Sequence, residues 1–246
     1  KAIGFVNYPF GNKHIYTVGS TPLSIERYQF VPDQLPGLQI EYAIKNTSNQ
    51  SIQIEFNIEA VSNLMPVWLG ERTGMINSKD LASFDPSNNR WMVKDSLNPW
   101  YVVHGSTVKG EASKMVFSKT NKPNTAVSNT TYKIEIKPNA VYYLPFTIAG
   151  SAKSKEQAMS SYNQIKNAAA SLLAIKKKRV LNLNQYSTLT LNDNAIATSF
   201  EWLKYNSDWL TQDVEGIGKG VVAGLPDYPW WFGGDMVYTL KGLIAM

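Results

Sequence analysis

Leu38-Gln39-Ile40-Glu41-Tyr42-Ala43-Ile44-Lys45, Asn46-Thr47-Ser48-Asn49-Gln50-Ser51 and Ile52-Gln53-Ile54-Glu55-Phe56-Asn57-Ile58 run consecutively, and this stretch decides the fold class. The first and third segments alternate apolar and polar residues, the period of a strand with one buried face. The six residues between them are of types that accept turn geometry. Two alternating runs joined in this way predict an antiparallel β-hairpin. Similar alternation recurs at residues 100–103, 114–117, 132–136 and 142–148, with Gly, Pro and Asn clusters between. Many short strands punctuated by turns predict a mainly β fold, with a large antiparallel β-sandwich over residues 1–150.

At residue 150 the period changes from two to 3.6. Ser154-Lys155-Glu156-Gln157 has the form of a capping box, and Met159, Tyr162, Ile165, Ala169, Leu172 and Leu173 make one apolar stripe behind it. The spacing predicts a linker helix within residues 151–190, packed on the sandwich. Its closing run Lys176-Lys177-Lys178-Arg179 suits the carbonyl end of a helix dipole better than a ligand site. A second helix is expected from about Asp193 to Gln212. Ile196, Phe200, Leu203 and Leu210 would share one face, and Trp202, Tyr205 and Trp209 another. A Gly-rich loop follows from Glu215 to Gly234, then a third helix from about Asp235 through Val237, Leu240, Leu243 and Ile244. Helices apolar on two faces need neighbours on both. Residues 191–246 therefore read as the opening of a helical domain that is incomplete in this chain.

Composition removes several functional classes. With 246 residues and 43% hydrophobic content the chain buries a full core, so disorder is excluded. There is no Cys, which rules out disulfides and Cys-ligated metals, and His14 and His104 alone make no His-rich metal centre. The net charge of +5 is local: residues 151–181 hold seven Lys and Arg against Glu156, or +6, leaving −1 elsewhere. No basic face for nucleic acid is expected, and no apolar run approaches the length of a membrane span. The 7 Trp and 13 Tyr fit either a bulky β-core or a sugar-stacking surface.

Several motifs read as structure. Gly216-Ile217-Gly218-Lys219-Gly220 has neither phosphate-loop spacing nor a strand before it as read from the sequence. Sequons at Asn46, Asn49 and Asn129 are better explained by turn chemistry than by glycosylation. His14 and His104 have no nucleophile motif beside them and read as structural or surface residues. The informative stretch is Ala223-Gly224-Leu225-Pro226-Asp227-Tyr228-Pro229-Trp230-Trp231-Phe232-Gly233-Gly234-Asp235. Aromatic faces stack on sugar C–H faces and a carboxylate accepts bonds from hydroxyl pairs, so this composition suits a sugar subsite. It equally suits a rigid aromatic plug with Asp235 capping its helix.

Residues 223–245 resemble the start of the (α/α)6-barrel catalytic domain of bacterial and archaeal glycogen debranching enzymes and related amylo-α-1,6-glucosidases. Those relatives open the barrel with a stretch of the form A-G-x-P-W-F-x-x-x-F-G-R-D. Trp230-Trp231-Phe232-Gly233-Gly234-Asp235 is similar in its aromatic-Phe-Gly and its Asp, while Gly234 stands where the relatives carry Arg. Upstream, the two alternating segments around Asn46-Thr47-Ser48 resemble a hairpin of the family's N-terminal sandwich. Pro138-Asn139 with residues 142–148 resembles its closing strand.

The resemblance implies three parts: an N-terminal sandwich at 1–150, a helical linker at 151–190, and the first helices of an (α/α)6 catalytic domain at 191–246. It implies the N-terminal part of a glycosidase acting on α-linked glucan-like oligosaccharides, with the sandwich supporting the cleft of a barrel that continues past Met246. Asp235 would line the −1 subsite, with Trp230, Trp231, Phe232 and Tyr228 around the substrate. The resemblance implies that the catalytic acid and base come from later barrel helices, and nothing in the spacing of Asp208, Asp213, Glu215 and Asp227 singles out such a pair. No metal and no cofactor is implied. The expected partners are the oligosaccharide and the rest of the catalytic domain, with no nucleic acid and no membrane. The alternative is a non-catalytic carbohydrate-binding or adhesion sandwich with a partner-docking helical tail. The compartment is not fixed: the lack of Cys and abundance of Asn, Ser and Thr point to export, whereas the debranching relatives are cytoplasmic.

Overall fold

In the computed structural model, residues 2–67, 70–113, 123–225 and 228–245 are described. They form two compact units: residues 1–66 with 71–174, and residues 67–70 with 175–246. The chain is mainly β, with a large antiparallel sheet and three helices.

In the first unit the strands are β1 (Gly4–Tyr8), β2 (Gly11–Thr17), β3 (Leu23–Phe30), β4 (Gly37–Asn46), β5 (Ile52–Ser62) and β6 (Asp80–Asp85). They are followed by β7 (Arg90–Asp95), β8 (Tyr101–Gly105), β9 (Glu111–Ser113), β10 (Ala126–Ile136) and β11 (Val141–Ser151). One sheet has eight strands in the order β1-β2-β3-β4-β11-β8-β7-β6, and a second has three in the order β5-β10-β9. Between the sheets lie Leu23, Ile44 and Leu144 from the larger and Tyr132, Ile134 and Ile136 from the smaller, each at most 8% exposed. Ile52, Ile54, Phe56 and Ile58 of β5 complete this layer. The strands expected at 100–103, 132–136 and 142–148 fall within or across β8, β10 and β11; that expected at 114–117 lies outside the described residues.

The expected hairpin is corrected. β4 pairs with β3 and β11, and β5 pairs with β10, so the two strands lie in different sheets. The turn between them is an arch that crosses the core. Asn46 is fully buried, and its Nδ2 donates to the carbonyls of Gln50 (2.7 Å), Ile136 (3.0 Å) and Lys137 (3.2 Å). Its Oδ1 accepts from the backbone N–H and the hydroxyl of Ser48. The turn from β10 to β11 is a second arch beside the first: Asn46 N–H donates to Ala140 O, and Asn139 N–H to Ser48 O. Period-2 alternation is identical for partners in one ladder and for strands facing each other across a core, so it does not separate the two arrangements.

The outer face of the large sheet is covered by the first half of α1 (Lys155–Asn182). Ala158, Tyr162 and Ile165 are buried there against Val103 and Ala149, with Met159 and Leu172 at the margin. Burying each large side chain is worth about 1.5–3 kcal/mol. Gly37 permits the close approach, since a Cβ there would lie 2.7 Å from Ile165 Cδ1. The expected capping box is half formed. Ser154 Oγ accepts from Gln157 N–H, but the Ser154 N–H goes to Ser151 Oγ, whose hydroxyl in turn donates to Gln157 Oε1. Ser151 thus takes over the return half of the box. The helix is kinked at Ala168, whose φ of −127° is not helical.

The second unit contains the end of α1, α2 (Asn194–Leu210), a hairpin of β12 (Thr211–Val214) and β13 (Gly218–Val221), and α3 (Gly233–Ala245). Asp193 caps α2 by accepting from the N–H groups of Ala195 and Ile196. Trp202 meets Tyr205 and Trp209 edge to face at 5.7 and 6.0 Å, as one face of that helix predicts. Tyr205 is buried and accepts from Asn184 Nδ2 (2.6 Å), while Ile196 and Leu203 on the other face are exposed. The Gly-rich segment read as loop begins in a hairpin. Gly216 and Gly218 take φ of +79° and +126°, values open to glycine, and Ile217 N–H closes the turn onto Val214 O. No helix among the described residues is long and apolar enough to cross a membrane.

Candidate functional site

The aromatic segment is built on the β12–β13 hairpin. After β13, Val222 N–H donates to Leu210 O, fixing the chain to the end of α2. Gly224 and Tyr228 then exchange both backbone bonds (3.1 and 2.8 Å), closing a tight loop, and Ala223 N–H donates to Trp230 O. Pro226 and Asp227 lie outside the described residues. The paired backbone holds the aromatics on a fixed frame.

The five expected substrate-binding residues separate by orientation. Trp231 turns inward onto the hairpin: a Cβ at Gly220 would lie 2.8 Å from its ring, and its indole Nε1 is buried without a partner. Phe232 is half-buried and meets Tyr228 edge to face at 6.5 Å. Tyr228 and Trp230 are 54% and 50% exposed. Asp235 is exposed, and no hydrogen bond or ring contact joins it to Trp230 or Trp231 among the described residues. The segment therefore pairs an inner layer, Trp231 and Phe232, with outward Tyr228 and Trp230.

Helix α3 starts at Gly233, two residues before the expected position, and Met236 N–H donates to Phe232 O as its first bond. Asp235 is thus the third helical residue and not the N-cap. Its charge near the dipole's positive end is worth about 0.3–1 kcal/mol, and no cap bond is described for its carboxylate. Gly233 and Gly234 have nothing within 4 Å of a Cβ position, so the space beside Asp235 is open.

Among the described residues the other local carboxylates do not assemble into a pair; Asp227 lies outside them. Asp208 is bound at 2.7 Å by Arg179, the last residue of the basic run in α1. Asp213 lies on β12 opposite Lys219, and Glu215 sits in the hairpin turn. Among the described residues no group of three or more His, Asp or Glu is placed to hold a metal. Of the two histidines, His14 is half-buried beside Phe5 and Arg27, and His104 is buried between the sheets with Nε2 2.9 Å from Ser128 Oγ. Sequence reading missed Lys204, which is buried in α2 and donates to Ser187 O at 2.7 Å. A lone Lys in an amphipathic helix carries no signal of that kind.

No family model matches the sequence, and no curated protein matches it. Solved structures do. A protein described as a kojibiose phosphorylase from the human microbiome matches 87% of this chain and 28% of its own, with 10% identity and a TM-score of 0.59. A bacterial glucoamylase in complex with acarbose matches 81% of this chain and 30% of its own, with 10% identity and a TM-score of 0.44. A protein described as an aldose 1-epimerase from Escherichia coli K12 matches 60% of this chain and 67% of its own, with 7% identity and a TM-score of 0.43. The chain thus spans less than a third of the first two proteins. At 10% identity and a TM-score of 0.59, the first match is one of fold.

Proposed function

We propose that this chain is part of a carbohydrate-active enzyme that cleaves glycosidic bonds in α-linked glucan-like oligosaccharides, with the catalytic carboxylates on a helical domain continuing beyond Met246. The observation that carries the reading is the exposed Tyr228 and Trp230 on a hydrogen-bonded frame, with an uncapped carboxylate, Asp235, in the first turn of the next helix. Aromatic side chains left half in water on a fixed backbone form a surface suited to stacking on a sugar ring. Two further observations support it. The match at TM-score 0.59 covers 87% of the chain, more than residues 1–174 supply, so it includes part of the helical unit. Ile196, Leu203, Val237, Leu240 and Ile244 are each at least 41% exposed, leaving apolar faces of α2 and α3 for further helices to cover.

In this reading Asp235 bonds two adjacent hydroxyls of the sugar at the cleavage point, and Trp230 or Tyr228 forms the apolar wall. Hydrolysis and phosphorolysis share this demand, and so do cleavage of α-1,4 and α-1,6 links. The choice belongs to groups outside this chain, which alone releases no sugar for want of a placed acid–base pair. Hydrogen bonds to a charged group are worth about 1.5–3 kcal/mol each. In the full-length protein, Asp235→Asn lowers kcat/KM by about ten- to a thousandfold with an unchanged melting curve. The assay follows glucose and glucose 1-phosphate release from maltooligosaccharides and pullulan, with and without phosphate. Near wild-type turnover of the Asn variant, or release by the 246-residue chain itself, overturns the reading. A stop codon directly after Met246 in the parent gene favours the non-catalytic carbohydrate-binding alternative.

A further inference from the structure

We propose that the side-chain oxygens of Asn63, Asn77 and Asp80, at one end of the sandwich, form a calcium-binding site. Three chain segments meet there. Leu64 N–H donates to Asp80 Oδ2 at 2.7 Å, which brings the residues after β5 to the start of β6. Asp80 N–H donates to Asn124 O at 2.9 Å, and Asn124 Nδ2 donates to Asn77 O at 3.1 Å, which ties in the segment before β10.

Within this knot Asp80 is 3% exposed, and its Oδ1 is buried with no hydrogen-bond partner. Asn63 Oδ1 and Asn77 Oδ1 are likewise buried and unpartnered. The amide nitrogen of Asn63 is engaged by Met65 Sδ at 3.2 Å, so it does not serve these oxygens. Buried acceptors left without a donor are avoided by proteins unless something positive lies near, and here three of them sit on segments that these bonds tie together.

The charge points the same way. Asp95 lies opposite Asp80 in the β6–β7 ladder. Its carboxylate is already occupied by the N–H and hydroxyl of Ser78, the N–H groups of Leu97 and Asn98, and Asn98 Nδ2. It contributes negative charge rather than a free oxygen. No Lys or Arg pairs with Asp80 among the described residues. A divalent cation would balance the two carboxylates.

The donor set selects the metal class. It contains only oxygen, which excludes the thiolate and imidazole metals. One carboxylate and two neutral amide oxygens on separate loops suit calcium, which accepts six to eight oxygens at about 2.3–2.6 Å in irregular geometry. Magnesium requires a tighter octahedron and holds its water. With one direct carboxylate, a Kd of about 10⁻⁴–10⁻³ M is expected.

The test is calorimetry on the EDTA-treated 246-residue chain, scanned with CaCl2 and separately with MgCl2. Calcium at a hundredfold excess over Kd raises the melting temperature of the wild type by about 5 °C or more, and magnesium by clearly less. Asp80→Asn keeps the shape, removes the charge and abolishes the calcium response. Asn77→Ala, a second variant chosen in case the first folds poorly, weakens calcium binding tenfold or more. The proposal is overturned by a wild type unresponsive up to about 10 mM calcium, by equal responses to the two metals, or by an unchanged response in a folded variant. These outcomes do not depend on the saccharide reading, which concerns the other unit.

Discussion

Replacing Asn46 by Ala tests whether one side chain holds the two inter-sheet arches together. The side chain makes five hydrogen bonds, three donated to carbonyls and two accepted from Ser48. Gln50 and Lys137 are exposed and Ser48 is half-buried, so these partners regain water when Asn46 is truncated. The bond to Ile136 O is buried, and that carbonyl loses a donor. A net worth of about 0.5–1.5 kcal/mol per bond, with about 1–3 kcal/mol for the orphaned carbonyl, discounted for rehydration, gives about 3–5 kcal/mol. At about 2–4 °C per kcal/mol for a domain of this size, the melting temperature falls by roughly 6–20 °C. Asn46→Asp sharpens the test. It keeps the acceptor for Ser48 but turns an oxygen towards three carbonyls, so it is at least as destabilising as Ala. Urea denaturation of both variants, with melting curves alongside, measures the loss. An Asp variant within about 0.5 kcal/mol of wild type would refute the assigned role of the three donated bonds.

Two further outcomes follow from groups buried in the sandwich unit. Tyr162 is fully buried with its hydroxyl unpartnered, and burial pushes its phenol up to about 12, so Tyr162→Phe is neutral or stabilising by up to about 1 kcal/mol. Tyr162→Ala in contrast costs about 3–5 kcal/mol, and a Phe variant losing more than about 1 kcal/mol would reveal an undetected partner for the hydroxyl. Burial pushes His104 down to about 4 from an ordinary 6.5, so the unfolded chain binds more protons than the folded one between those values. Stability supplied by the neutral imidazole is complete above pH about 6.5 and falls as the pH drops towards 4, by about 3 kcal/mol in all. Melting temperatures of wild type and His104→Gln from pH 7 to 4.5 check this: the wild type should fall more steeply, and parallel curves would contradict the assignment.

The parts legible in the sequence are those set by local chemistry. Alternation in β8, β10 and β11, the Ser154 start of α1, the stripe Tyr162 and Ile165, and the helix after Asp193 all depend on neighbours a few residues away. The partition of β4 and β5 into two sheets depends on partners 64 to 112 residues distant, which a period-2 pattern does not encode. The same holds for Ala158, whose burial arises from contact with Val103 and Ala149 rather than from its own weak apolarity. In the helical unit the composition singled out residues 223–235 but did not separate inward Trp231 from outward Trp230. That distinction comes from Gly220 on the neighbouring strand, which leaves room for one ring.

The two arches have a consequence for how the chain folds. β10 and β11 are the last strands of the sandwich to be made, yet each occupies an interior position, β11 between β4 and β8 and β10 between β5 and β9. Without β11 the large sheet is two separate meanders, and without β10 the small sheet does not exist. Pairs such as Gln39 with Thr147, 108 residues apart, are part of the closing step and not of any early local event. The loop entropy of such contacts is spent before they return anything, so closure is slow compared with meander formation. Until residue 151 is available, β4, β5 and β8 present open edges able to pair with another chain. A nascent or truncated chain ending before β10 is therefore the aggregation-prone species of this protein, and completion of β11 is the event that removes the hazard.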